Sequence, residues 1–574
     1  MALILGCAAA ASAEPRSSKL SARTRHEAKE KGTAKVEVLV RFRRHPGAAE
    51  RSLVRAFGGQ IRREFRRGGW IALRVPAHRL AKLAEHPNVE FVAADAPVAG
   101  AMDVARQTAG EPPVTAHESA LKGAGVTIAV VDSGVAQHPE IQTLIAAVDF
   151  TVEPQRWGVV DVPTTAPELS VDPYGHGTHV AGIMVANGSL SAGGRHAGIA
   201  PAANLVSVRV LDEAGSGLTS EVLAGLQWIA DNKDELGIRV VNLSLGHPVY
   251  EPAAYDPLVQ AVEALWDAGV VVVCSAGNSG RAGSATVTSP CNSRKVITVG
   301  ALNDRNTADT ADDAVASYSS RGPTLGDLVA KPDLLAPGNR IVSLRSAGSS
   351  LDLLFPERRV AADPAEPEVV GHVEMSGTSM AAPIVAATAA LMLEQDQSLN
   401  PGTIKARLMA SARKAAVGDP FASGAGALDI QGALRATGRV ADAPSPRIFP
   451  DAARGMLGVE NTGVLWGDSL FTIDAVWAAS VLWSVGTQWS DPIVWSYAVV
   501  QSSTTDATAS LLSADAELWP EAELWPDSAL WSEAELWPDA AALGELWPDD
   551  ALGSLADLWP DDQMLSQAEL QPDN

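Results

Sequence analysis

Short apolar runs recur through the middle of the chain and set its architecture. Val126 to Val131, Asn204 to Leu211, Val240 to Leu245, Val270 to Cys274 and Val296 to Val299 are rich in β-branched side chains. Runs of that length and composition read as strands buried on both faces. Between them, Ser220 to Asp231 and Pro257 to Ala268 carry helical spacing. Strands alternating with helices predict a parallel sheet covered on both sides, so residues 117–440 are expected to form a three-layer α/β domain. Ligand sites in such sheets gather beyond the carboxyl ends of the strands.

Upstream the period changes. Val36 to Phe42 and Trp70 to Val75 alternate like half-buried strands, Val89 to Val92 reads as a third, and Ala48 to Phe57 and His78 to Glu85 read as helices. Residues 34–96 thus form a small α/β unit, and residues 97–116, rich in Ala, Gly and Pro, a linker. Met1 to Ala13 is apolar and ends in Ala11-Ser12-Ala13, which reads as an export signal over 1–13 that lacks its basic first part, as in a truncated signal. No apolar run is long enough to span a bilayer as a helix.

Charge divides the chain further. Residues 1–110 carry ten more basic than acidic side chains, whereas 455–574 hold twenty-one acids and no Lys or Arg. A basic first segment ahead of an acidic domain favours docking between them, and no nucleic-acid module accompanies the basic residues. Eleven of the fifteen tryptophans follow residue 460; Trp477, Trp483, Trp489 and Trp495 are six apart, and Trp519 to Trp537 repeat the spacing. Six residues scatter side chains around a helix but share one face of a strand. The acidic Trp-hexad tail, 455–574, is therefore expected to be extended or disordered, either a partner-binding segment or a spacer.

The chemistry lies where apolar runs end. The first stops at Asp132-Ser133-Gly134; Gly175-His176-Gly177-Thr178-His179 opens a helix; Met375-Ser376-Gly377-Thr378-Ser379-Met380 opens another, and Asn278 follows the fourth strand. An acid, an imidazole and a hydroxyl in the order Asp132, His176, Ser379 make up a nucleophilic triad. The amide of Asn278 is a donor for a developing oxyanion. His176 and His179 stand one helical turn apart, but no third metal-ligand motif joins them.

These four motifs in this order, with Ser319-Ser320-Arg321-Gly322-Pro323 and Lys331-Pro332-Asp333, resemble the subtilisin-like serine peptidases over about 320 residues. The resemblance implies a serine endopeptidase working through an acyl-enzyme, made as a self-inhibited precursor with residues 34–96 as the inhibitory prodomain. Extracellular or cell-surface location follows from it, with protein or peptide substrates and the chain's own prodomain as partners. It implies substrate clamped as an added strand between Gly215-Ser216-Gly217 and Ser244-Leu245-Gly246, with Ser275-Ala276-Gly277 along the first specificity pocket. No cofactor is required for the chemistry; a structural calcium would use Glu140. Two further readings stand: a narrow maturation peptidase, and a surface-binding protein whose triad only processes itself. An exported chain permits a Cys274–Cys291 disulfide, and two buried thiols are the alternative. Ser346 to His372 is longer than the family's link to the nucleophile and reads as a surface loop or a lid.

Overall fold

The computed structural model describes residues 19–65, 68–95, 97–100, 121–151, 170–191, 194–305, 310, 313–361, 370–414, 419–451, 456–477 and 482–484. The segment expected to be an export signal, most of the 97–116 linker and most of the expected Trp-hexad tail lie outside them. The chain divides into two compact units, residues 1–96 with 154–161, and the remainder.

The first unit is an antiparallel sheet of β1 (Lys35–Phe42), β2 (Gln60–Glu64), β3 (Trp70–Pro76) and β4 (Val89–Ala94) in the order β2-β3-β1-β4. Three helices accompany it: α1 (Ala22–Glu30), α2 (Ala48–Ala56) and α3 (Leu80–Glu85). Val38, Val40, Val54, Leu73, Leu80 and Leu83 share its core. The edge strand β2 escapes the hydrophobic pattern because Gln60-Ile61-Arg62-Arg63-Glu64 has one apolar residue and a solvent-facing edge needs no more.

In the second unit β5 (Pro97–Gly100) precedes the main sheet, which contains β6 (Thr127–Asp132), β7 (Leu144–Asp149), β8 (Asn204–Arg209), β10 (Ile238–Leu243), β12 (Val271–Ser275), β13 (Ile297–Asn303), β14 (Ala314–Val315) and β15 (Leu334–Pro337). Their order is β14-β13-β12-β10-β6-β8-β7, with β15 on β13, and every pairing but β13–β14 is parallel. Between these lie β9 (Ser216–Leu218) and β11 (Leu245–Gly246), and helices α4 (His176–Val185), α5 (Thr219–Asn232) and α6 (Pro257–Asp267). Asp256 caps α6 by accepting from Leu258 and Val259 N–H, with Pro257 in the first turn where its missing donor is harmless. Beyond β15 come β16 (Ile341–Leu344), α7 (Ser350–Leu354), β17 (Arg359–Val360), β18 (His372–Met375), α8 (Thr378–Gln395), α9 (Pro401–Ser411), α10 (Pro420–Ser423) and α11 (Ile430–Arg435). The expected three-layer α/β fold is present, and α8 runs through its core with Met380 to Ala382 and Val385 to Ala387 buried.

The Lys331-Pro332-Asp333 block locks that core. Asp333 is fully buried and accepts from Lys331 Nζ (2.7 Å), Thr298 N–H (2.8 Å) and Ser445 Oγ (2.6 Å), with Lys405 Nζ at 3.3 Å. Buried charges persist where each is paired and hydrogen-bonded, and this cluster meets that condition.

The expected tail boundary is corrected. Past residue 455 the chain continues as β20 (Met456–Val459), antiparallel to β19 (Ile448–Asp451), then α12 (Thr462–Trp466), α13 (Ile473–Val476) and β21 (Leu482–Ser484) on β20. Trp466 and Trp477 are buried with Met409, Phe421 and Phe471, and Trp466 Nε1 donates to the Pro444 carbonyl at 2.9 Å. The Trp spacing suggested an extended or disordered segment, but enough apolar side chains fall between 456 and 477 to join the domain core. Among the described residues no helix is long and apolar enough to cross a membrane.

Candidate active site

Three elements deliver the site residues, and glycines let them approach. β6 ends at Asp132; Gly134 then adopts φ +109°, where L side chains are strained. Gly175 (φ +105°) caps α4, whose first residue is His176. A Cβ at Gly177 would collide with the Gly134 carbonyl and crowd Asp132, so this glycine sets how closely α4 lies on the end of β6. The result is a direct contact: His176 Nδ1 stands 2.8 and 3.0 Å from the two Asp132 carboxylate oxygens, both side chains fully buried. Asp132 also accepts from Ser133 N–H at 2.7 Å. The carboxylate can only accept, so Nδ1 carries the proton and proton transfer falls to Nε2.

Ser379 is the second residue of α8, which packs beside α4. Its Oγ donates to the Ser244 carbonyl at 3.3 Å, while Ser244 Oγ, itself receiving from Asn242 Nδ2, donates to the Ser379 carbonyl at 2.9 Å. Ser244 therefore holds Ser379 from both sides. Asn278 lies beside it. Its Oδ1 accepts from both N–H and Oγ1 of Thr378 at 3.0 Å. Because a backbone N–H can only donate, this fixes the amide's orientation and leaves Nδ2 buried without a protein acceptor.

The chain's own β5 brings the two expected substrate edges together. It lies between β11 and β9, antiparallel to both: Val98 opposite Gly217, Ala99 opposite Ser216 and Gly246, Gly100 opposite Leu245. Gly215 turns against the Tyr174 ring, where no side chain would fit. Ser275, Ala276 and Gly277 are buried at the end of β12, with Gly277 N–H donating to Thr378 Oγ1 at 3.1 Å. Cys274 and Cys291 face each other with Cα atoms 5.9 Å apart, a separation a disulfide spans.

Glu140 is fully buried. Its Oε1 accepts from Leu190 N–H (2.7 Å) and lies 3.7 Å from His372 Nε2, with the His196 ring against His372, while Oε2 has no protein hydrogen-bond donor. No three Asp, Glu, His or Cys side chains among the described residues form a metal site.

Sequence reasoning missed Asp172. Its buried carboxylate accepts from Ser133 Oγ (2.8 Å), Gly175 N–H (2.7 Å), and Thr178 N–H and Oγ1 (2.7 and 2.6 Å), tying the Asp132 turn to the His176 turn. Burial raises its pKa despite these donors. The signal was its place four residues before His176. His179 is structural: Nε2 meets the Ile341 and Val373 carbonyls at 3.1 and 3.2 Å, and burial lowers its pKa to about 3. The unfolded chain binds this proton near pH 6.5, so stability falls as pH drops from about 6.5 towards 3. Replacing His179 with Asn is expected to flatten that part of the unfolding-temperature profile measured against pH.

Residues 123–432 match the subtilase family of peptidases. The chain belongs to the subtilase family. Serine protease AprX of Bacillus subtilis is 41% identical over 358 residues, covering 61% of this chain and 76% of that protein. Subtilisin E of the same organism is 29% identical over 400 residues, covering 68% and 86%. In fold the subtilase resembles fervidolysin of Fervidobacterium pennivorans, a keratinolytic enzyme related to subtilisin, at TM-score 0.55 and 21% identity over 71% of this chain and 62% of that one. It is a subtilisin-like serine endopeptidase, and its substrates are proteins.

Proposed function

We propose that this subtilase is an exported endopeptidase made as a self-inhibited precursor, with Asp132, His176 and Ser379 as its triad. The observation that carries self-inhibition is β5: the four residues that follow the first unit fill the place between β9 and β11 where a substrate would add as a strand. Residues 34–96 are then the inhibitory prodomain. In turnover a substrate replaces β5, and Ser379 Oγ attacks its carbonyl carbon while His176 Nε2 takes the hydroxyl proton. Asp132 stabilises the imidazolium that results. The oxyanion accepts from Asn278 Nδ2 and the Ser379 backbone N–H. Collapse expels the amine, which takes the proton from Nε2, and water repeats the sequence on the acyl-enzyme. Strand addition reads backbone, and the wall at Ser275 to Gly277 carries no charge, which supports broad specificity over a single cognate substrate.

The test is hydrolysis of unfolded polypeptides by processed enzyme. Asn278→Ala is expected to lower kcat by about 10²–10³-fold with KM little changed, because its donor meets charge that exists only in the transition state. A wild-type enzyme inert towards unrelated unfolded polypeptides would overturn the reading in favour of narrow maturation or self-processing.

A further inference from the structure

Residues 346–360 contain none of the reacting groups, yet they are hydrogen-bonded to two segments that matter to them. Ser346 Oγ donates to the Asp172 carbonyl (2.8 Å), Ser350 N–H to that of Pro173 (2.8 Å) and Leu351 N–H to that of Tyr174 (3.1 Å). These three consecutive carbonyls lead directly into Gly175 and His176. Separately, Ser350 Oγ donates to the Glu213 carbonyl at 2.6 Å, in the turn that opens into β9. The fit is close, since a Cβ at Gly175 would strike Ser349 Oγ.

The segment is stiffened from within. Asp352, almost fully buried, accepts from the Arg345 guanidinium, from Arg359 Nε at 2.7 Å and from Gly348 N–H at 2.8 Å. Arg359 Nη2 adds a bond to the Asp352 carbonyl at 2.8 Å, and Arg345 Nη1 reaches that of Val370 at 3.0 Å. Two bidentate-capable cations on one carboxylate make a rigid knot rather than a lid that swings.

We propose that residues 346–360 are a splint with two separable contacts: Ser346 positions His176 through the 172–174 backbone, and Ser350 positions the substrate-pairing edge β9 through the Glu213 carbonyl. This rests on the roles given above to His176 and β9. Small misplacements of a catalytic group are costly in rate, whereas a displaced edge weakens ground-state and transition-state binding alike.

Ser346→Ala in the full chain is expected to lower kcat by about tenfold with KM within about twofold, and Ser346→Thr to restore most of it. Ser350→Ala is expected to raise KM about three- to tenfold with kcat within about twofold. A merely structural role would move both parameters together, or only the unfolding temperature. Hydrogen exchange in the Ser379→Ala background supplies a readout without turnover: Ser346→Ala should speed exchange at Gly175 and Thr178, and Ser350→Ala at 214–218. Parallel kinetic changes in the two variants, or exchange unaltered at both segments, overturn the splint. An inactive wild type whose exchange still responds segment by segment overturns the triad reading and leaves the splint standing.

Discussion

Ser379→Ala should abolish turnover, lowering kcat by about 10⁶-fold, because members of a cooperating triad fail together when the nucleophile is lost. The same variant should leave the precursor uncut. Expressed side by side, the wild type is expected to lose a fragment ending between about residues 90 and 120, and the variant to keep its full mass. The cut is expected there because β5 lies antiparallel between the edges that a substrate would use. The substitution removes one oxygen whose acceptor is the Ser244 carbonyl, so the fold should survive. An Ser379→Ala precursor processed as quickly as wild type would place the cutting in another protease and detach Ser379 from self-activation.

Asp132→Asn should lower kcat by about 10⁴-fold while leaving the unfolding temperature nearly unchanged. The amide matches the carboxylate in shape, so the side chain still fits under Gly177. Its chemistry is inverted, however: an amide NH₂ facing His176 Nδ1 makes that nitrogen the acceptor and moves the proton to Nε2. An Nε2 that already carries a proton cannot take one from Ser379. Asp132 and His176 contact each other at 2.8 Å with no exposure of either, so solvent cannot easily restore the active tautomer. Steady-state rates near neutral pH check this; a loss below about tenfold would deny Asp132 its orienting role.

Much of this enzyme was legible along the chain. Apolar runs ending at Asp132, Leu243 and Ser275 are strands because β-branched residues buried on both faces leave no other economical arrangement. Gly134 and Gly177 mark places where a neighbouring carbonyl excludes a Cβ, and Gly175 one where the Ser349 side chain does. The motif order then named Asp132, His176 and Ser379, and the same reading named both edges that β5 joins.

Other features were out of reach for stated reasons. β2 has too little apolar content to register as a strand, and is held by pairing with β3. The His372 imidazole that faces Glu140 comes from far along the chain. The tail's charge drew attention from the apolar residues that bury Trp466 and Trp477.

By itself the sequence determined the strands' raw material and the turn glycines, because periodicity and turn chemistry act over a few residues, and its motif order supplied the candidate reacting groups. Only the tertiary structure decided which end of the Asn278 amide is presented, through Thr378 a hundred residues away. It alone tied Asp172 to two turns, closed Lys331, Asp333 and Lys405 into one buried cluster, and set residues 346–360 against the backbone before His176. Those contacts depend on which distant segments meet when the sheet and helices pack, and no local pattern encodes that meeting.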